Sequence, residues 1–187
     1  LRNYSFHSAL HKKLLTRYPH LNNDQVSLVL ETLRDYFAIC NQSGKRMVSM
    51  PSQVVDVAWH EFILFTRAYK EFCSHALGRF LHHTPTEAMK TPTLAQDGIK
   101  HTWMIACSRE KIDPAKPDRL PMIFAIDGLL NIEDGYHYVL DCANPASPMY
   151  GSGYCASDIG CSSGCSADTG GDSGSDGSGC GGGCGGD

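Results

Sequence analysis

The sequence lacks the features of several large protein classes. No run of roughly eighteen apolar residues occurs, so no membrane-spanning helix is predicted. Basic residues are few: 16 Lys and Arg stand against 20 Asp and Glu in 187 residues, a formal net charge of -4. This balance leaves no basic surface for a nucleic acid or an anionic membrane. The first residues also lack the charged-then-apolar layout of a secretory signal. Together these absences predict a soluble, cytoplasmic protein without nucleic-acid or membrane partners.

Signatures of nucleotide binding and of serine hydrolases are missing as well. The glycines gather near the C-terminus and follow no predicted strand, so no phosphate-cradling loop or dinucleotide fingerprint is formed. Nine cysteines make an odd number, which in a cytosolic-looking chain argues against a disulfide framework. Cys40, Cys73, Cys107 and Cys142 are scattered through apolar sequence, and we expect them to be small buried hydrophobic residues.

Composition changes abruptly near Asn144. Ordinary globular sequence precedes this point, and Gly, Ser, Asp and Cys dominate after it. The sequence therefore predicts a helical domain over 1–144 and a low-complexity tail over 145–187. Such a tail cannot bury enough apolar surface to offset about 1–2 kcal/mol of backbone entropy per residue. We expect it to be disordered unless a ligand orders it, so truncation after Asn144 should leave the helical fold intact.

Apolar residues in the first part follow helical spacing. Phe6, Leu10 and Leu14 are four residues apart, and a second apolar stripe runs from Val26 to Cys40. These two segments predict an antiparallel helix pair joined by the short turn PHLNN. Asn23 is the predicted cap of the second helix.

Further helices are expected at four segments, separated by turn-rich sequence. QVVDVAWHEFILF follows Ser52 as a cap, TRAYKEFCSHAL stops at Gly78, and MIFAIDGLL begins near Pro121. LAQDGIKHTWMIACSREK is predicted to be helical despite Gly98. GYHYVLDC alternates as a short strand or extended arm. The predicted fold class is all-α: a small bundle of five or six helices with a short extended arm and a disordered tail.

One apolar segment, VDVAWHEFILFTRAYKEFCSHALGRFLHH, carries a concentration of imidazole and carboxylate. Asp56 and His60 are four residues apart, so a helix places them on one face. An imidazole beside a carboxylate suits a divalent metal such as zinc. His82 and His83 diverge by about 100° on a helix or nearly 180° on a strand, so at most one of them joins. Glu61 points elsewhere and is predicted to face solvent.

A simpler interpretation of the same segment needs no metal. Trp59 and Phe62 are expected core residues, and a histidine beside them can be a partly buried group that donates a charge-assisted hydrogen bond to its aspartate. The spacing also falls short of the two-histidine helical signature of zinc enzymes. Spacing alone leaves both interpretations open.

The tail contains a second candidate metal site. Cys161 and Cys165 form one CxxxC pair and Cys180 and Cys184 another, with Cys155 as a spare ligand. Four thiolates suit tetrahedral zinc, and softer metals such as Cu(I) accept them too. The alternative is a flexible tail whose cysteines are reduced and bind nothing.

The same stretches resemble a known family. The pattern VDVAWHEF…Y…FC…G…LHH is similar to that of the glycine-rich domain-containing proteins of plants and bacteria, and DRLPMIFAIDGLLNIEDGYHYVLDC with its Cys- and Gly-rich end resembles the bacterial members. Plant members often carry a second histidine where this chain has Phe62. The resemblance implies a shared helical fold and polar cluster, and it strengthens the expectation of metal binding at Asp56 and His60. The matching positions are Asp56, Trp59, His60, Tyr69, Cys73, Gly78 and His82 or His83.

Three functions are compatible with these observations. The favoured one is a non-catalytic metal-binding module for zinc or copper. The second is a helical domain that binds a protein partner, with the glycine-rich end as a flexible arm. The third is a metal-dependent hydrolase or oxygenase, with Asp56, His60 and His82 as ligands and Glu61 or His83 as acid or base, which requires a pocket beside the metal.

Overall fold

The computed structural model of the chain describes residues 4–44, 46–83, 92–140, 154–156 and 159, and the regular secondary structure of this part is almost entirely helical. Two short parallel strands complete it, which confirms the predicted all-α class and the extended arm. The elements are α1 Ser8–Arg17, α2 Asn23–Gln42, α3 Gln53–Ile63, α4 Thr66–Phe72 followed by a π-helical turn Cys73–Leu77, α5 Pro92–Glu110, α6 Met122–Leu129, β1 Tyr138–Val139 and β2 Tyr154–Cys155.

Helices α2 and α3 begin at side chains that accept hydrogen bonds from the first main-chain amides. Asn22, rather than the predicted Asn23, caps α2: its side chain accepts from Gln25 N at 2.9 Å, and Gln25 Oε1 accepts from Asn22 N at 2.8 Å. This reciprocal capping box satisfies two amides and therefore outcompetes a cap one residue later. Ser52 caps α3 as predicted, accepting from Val55 N at 3.3 Å.

The segment that follows α3 ends in an unusual way. α4 continues into the π-helical turn, and the chain then reverses at Gly78, whose φ of 67° lies in the left-handed region. Only glycine adopts this conformation without strain, so the predicted stop at Gly78 is confirmed. The reversal directs residues 79–83 back toward α3.

Helix α2 is the centre of the bundle. It packs against α1, α3, α5 and α6, and α3 in turn packs against α1, α4 and α6. Aromatic rings fill the interface between α2 and α3: Phe37 lies 5.8 Å from Trp59 and 6.2 Å from Phe62, measured between ring centroids. Both Trp59 and Phe62 are buried, so this face of α3 belongs to the core, as predicted.

A close approach joins the segment between α2 and α3 to helix α5. Ser49 N lies 3.1 Å from Thr102 Oγ1, and Thr102 Oγ1 donates to Ser49 O at 2.7 Å. A Cβ atom at Gly98 would lie 2.1 Å from Ser49 Oγ. Glycine is therefore required at this position of α5 by packing, despite its low helix propensity.

The described residues extend past the predicted end of the helical domain. The boundary at Asn144 itself lies outside the described residues, as does 160–187. Strand β2 nevertheless pairs with β1, Cys155 and Ala156 are buried, and Ala156 belongs to the hydrophobic core. In the described part of the chain, no helix is long and apolar enough to cross a membrane.

Candidate metal centre and its cleft

A buried carboxylate fixes the start of the helix that carries Asp56 and His60. Asp127 of α6 is only 1% exposed and accepts hydrogen bonds from four donors around the N-terminus of α3. These donors are Ser52 Oγ at 2.7 Å, Gln53 N at 2.7 Å, Val54 N at 3.2 Å and Tyr136 N at 2.9 Å. A negative charge here also complements the positive end of the helix dipole. This role of Asp127 was not predicted from the sequence. A single acidic residue within the apolar segment IFAIDGLL could have indicated a buried carboxylate with hydrogen-bond donors around it.

Asp56, His60 and His83 come together at one end of the bundle. His60 Nδ1 lies 3.3 Å from Asp56 Oδ2, and His83 Nε2 lies 2.9 Å from Asp56 Oδ1. One potential ligand atom from each residue falls within 4.8 Å of the other two. The predicted convergence of this histidine and its aspartate with a third polar group is therefore present. Among the described residues, this is the one such group of three.

The reversal at Gly78 and a buried tyrosine hold His83 in place. Tyr69 Oη accepts from Trp59 Nε1 at 3.1 Å and donates to Leu81 O. The Trp59 ring then packs edge-on against His83, with centroids 4.5 Å apart. The Tyr69 hydroxyl thus connects α3 to the segment 79–83 through two hydrogen bonds. The sequence pattern did not predict this connection.

The separations in this group fit a common metal ion. Two ligands on a tetrahedral zinc, each about 2.0–2.1 Å from the metal, are about 3.3 Å apart. Asp56 Oδ2 lies 3.3 Å from His60 Nδ1, and Asp56 Oδ1 lies 2.9 Å from His83 Nε2, so both pairs are close to that separation. His60 is 49% exposed at its side chain and His83 only 11%, so the group lies at the surface with one side open. A metal here would have three protein ligands and a position accessible from outside.

Two other sequence candidates lie elsewhere. His82 is exposed and does not join the group: its ring packs on Phe80 at 4.8 Å between centroids, because neighbouring residues in the extended segment point in opposite directions. Glu61 forms an ion pair with Lys13 of α1. Its carboxylate therefore points away from His60, as predicted, and stays partly exposed at the surface. Glu61 does not line the cleft beside the group, so its suggested role as an acid or base has no support from its position.

A cleft opens beside the group. Its volume is about 870 Å³, and Asp56, His60 and His83 all line it. The rest of the described wall comes from the C-terminal part of α2, the segment that leads from α2 to α3, other residues of α3, the start of α5 and the β1 region, together with Arg79, Leu81 and His82. The pocket that catalysis would require is therefore present next to the three side chains.

The cysteines divide into buried thiols and the tail. Cys40, Cys73 and Cys107 are buried with free thiols, as predicted, and the fourth cysteine of that prediction, Cys142, lies outside the described residues. Burial raises the pKa of Cys40 and of Cys107 to about 12, so neither is a thiolate at neutral pH. Cys155 is disulfide-bonded, contrary to the expectation of reduced cysteines, and it can serve as a spare thiolate only after reduction. Four tail candidates lie outside the described residues: Cys161, Cys165, Cys180 and Cys184.

The fold and the site define an all-helical protein with an Asp/His group at the edge of a surface cleft. A family model described as UCP032817-like matches residues 1–159, and the chain belongs to this family. The matched region ends beyond β2 and covers every described residue. No curated protein and no solved structure matches the chain.

Proposed function

We propose that the protein is a metal-binding module that holds one zinc or copper ion through Asp56, His60 and His83. The observation that carries the proposal is the meeting of three ligand atoms within 4.8 Å, brought together from α3 and a segment more than twenty residues further along the chain. A neutral imidazole and a carboxylate suit zinc and Cu(II).

Polar contacts to Asp56 can hold the two histidines near it without a metal. Without a metal, the ring N–H of His83 donates to Asp56 Oδ1 at 2.9 Å, and His60 Nδ1 lies 3.3 Å from Asp56 Oδ2, within ion-pair distance. A metal needs an unprotonated nitrogen on each imidazole, so its binding competes with protonation of the histidines and weakens as the pH falls. Metal binding and a purely structural hydrogen-bonded group therefore make different predictions for metal content.

Elemental analysis of the untagged protein separates the two. We expect close to one equivalent of zinc or copper per chain after dialysis. Replacement of a direct ligand, His83→Ala, should lower the affinity by more than about 100-fold, because even changes to groups behind the ligands cost about 10–100-fold. His82→Ala, one residue away but outside the group, is the matched control and should keep its metal. Metal content far below one equivalent in the unmodified chain, or equal loss in both variants, contradicts the proposal.

The cleft favours metal-dependent hydrolysis or oxygenation as a second candidate function. Catalytic zinc sites have three protein ligands and an open position, and two histidines with one carboxylate are also the ligand set of non-haem iron oxygenases. Since His83 now falls among the ligands and Glu61 pairs with Lys13, the acid or base would have to come from another cleft residue. Metal-dependent hydrolysis of an activated ester that His60→Ala abolishes supports this candidate. Equal rates in the two proteins contradict it.

A further inference from the structure

Two guanidinium groups line the described walls of the cleft. Arg46 and Arg79 both line it, and both are exposed. In the part of the chain that the structure describes, neither forms an ion pair with a carboxylate. Asp56 is the one acidic residue among the described residues of the lining. Positive charge therefore exceeds negative charge on the described walls even before a metal is added.

Main-chain carbonyl groups hold the Arg79 guanidinium in place through one of its nitrogens, and its other N–H donors stay available. Its Nη2 donates to Cys40 O at 2.9 Å and to Gly44 O at 3.2 Å. These two bonds use both hydrogens of Nη2 and leave the hydrogens of Nε and Nη1 for another acceptor. Because the guanidinium is already held against the end of α2, less side-chain freedom is lost when an anion binds.

The inner wall of the cleft adds no negative charge. Cys40 and Tyr36 contribute a thiol and a phenol to the lining. Burial raises the pKa of Cys40 to about 12 and raises that of Tyr36 well above its usual range. Both groups stay uncharged at neutral pH, so an anion entering the cleft meets no repulsion from them.

We propose that the cleft binds a small molecule through an oxyanion group, a carboxylate or a phosphate, held by Arg79 with help from Arg46. A guanidinium presents paired N–H donors that match two oxygens of such a group. The same molecule then lies beside the open side of the Asp56, His60 and His83 group. The contribution of a metal to binding rests on the proposed function, whereas the contribution of the arginines does not.

Binding of simple oxyanions to the full chain tests this inference. Inorganic phosphate is titrated into the metal-free protein, and acetate into both the metal-free and the zinc-loaded protein, since zinc phosphate is sparingly soluble. Chemical shifts of the arginine Nε–H groups report where the anion binds. We expect saturable binding at millimolar concentrations that Arg79→Gln weakens by about tenfold, the loss expected for one charge-assisted hydrogen bond. Arg46→Gln should have a smaller effect, because Arg46 is not anchored in this way.

Arg67→Gln is the matched control, because Arg67 is an exposed arginine of α4 that does not line the cleft. Phosphate binding that fails to saturate, or that responds equally to the Arg67 and Arg79 variants, overturns the inference. Tighter acetate binding by the zinc-loaded chain supports a metal next to the arginines, and equal affinity with zinc bound contradicts that adjacency. If zinc does not bind but Arg79→Gln still weakens phosphate binding, the oxyanion site stands and the proposed metal function fails.

Discussion

At the scale of single residues, Asp127 determines where the helix with two of the three candidate ligands begins. It accepts three main-chain N–H groups and one hydroxyl in a buried environment. Asp127→Asn turns an amide NH₂ toward some of these donors and leaves them without an acceptor. We expect a loss of about 3 kcal/mol in the free energy of unfolding, measured by urea denaturation.

Asp134 provides the control for this change. Its exposed carboxylate also accepts from the start of α3, through Gln53 Nε2 at 3.3 Å. Asp134→Asn should change the stability by no more than about 0.5 kcal/mol, as is usual at the surface. Equal losses in the two variants would show that Asp127 has no special role.

The sequence revealed the part of the site that is local. Asp56 and His60 lie one turn apart on a helix, and this spacing was enough to place them together. The choice of His83 over His82 depends on how the chain leaves Gly78, and the positions of Asp127 and Tyr69 depend on packing between distant segments. The spacing of residues along one helix cannot predict contacts between segments that are distant in the sequence.

At the scale of elements, Tyr69 joins α3 to the segment that ends at His83. Tyr69→Phe leaves Trp59 Nε1 and Leu81 O without their shared partner. We expect this to cost about 1–3 kcal/mol of stability and to weaken zinc binding, because His83 is no longer held in one place. Urea denaturation and zinc titration measure the two effects.

Tyr18 supplies the matched control for Tyr69. Its hydroxyl is buried and has no hydrogen-bond partner among the described residues. Tyr18→Phe removes an unsatisfied polar group and should leave the stability unchanged or raise it, with zinc affinity unaltered. A stronger effect on zinc binding at Tyr18 than at Tyr69 would contradict the assigned role.

Two glycines inside helices should respond to alanine in opposite ways. At Gly98 of α5, a Cβ would lie 2.1 Å from Ser49 Oγ and 3.0 Å from its main-chain nitrogen, so Gly98→Ala should destabilise the protein by about 1–3 kcal/mol. At Gly128 of α6, the nearest atom would be His137 Nδ1 at 3.6 Å, an ordinary contact. Gly128→Ala should therefore stabilise by up to about 1 kcal/mol through helix propensity. Thermal unfolding of both variants checks the difference in sign.

The helices were the most predictable elements, because apolar spacing and caps are local. The end of the helical segment at Gly78 could be predicted, because a helix often stops at a glycine that adopts the left-handed conformation. The shift of the α2 cap from Asn23 to Asn22 arose from a capping box, whose glutamine three residues later was visible in the sequence. The π-helical turn after Phe72 has no comparable signal, because its extra residue per turn is set by packing.

At the scale of the whole molecule, residues 154–156 belong to the packed structure although they follow the predicted boundary at Asn144. Truncation after Asn144 removes β2 and the buried Ala156, and we expect lower stability and a less cooperative transition. Truncation after Ile159, where the family match ends, keeps β2 and Ala156 and should therefore lower the melting temperature less than truncation after Asn144. Circular dichroism of the two truncated chains makes the comparison, and equal melting temperatures would place the boundary where the sequence suggested.

X-ray absorption spectroscopy on the zinc-loaded full chain tests the proposed site most directly, because it identifies the atoms that coordinate the metal. If the metal is bound by Asp56, His60 and His83, we expect nitrogen and oxygen ligands at about 2.0–2.1 Å from the zinc, with the multiple-scattering pattern of two imidazoles. A shell dominated by sulfur at about 2.3 Å would place the metal on the cysteines instead. That result, or a chain that retains no zinc, would contradict a metal centre built on the helical core.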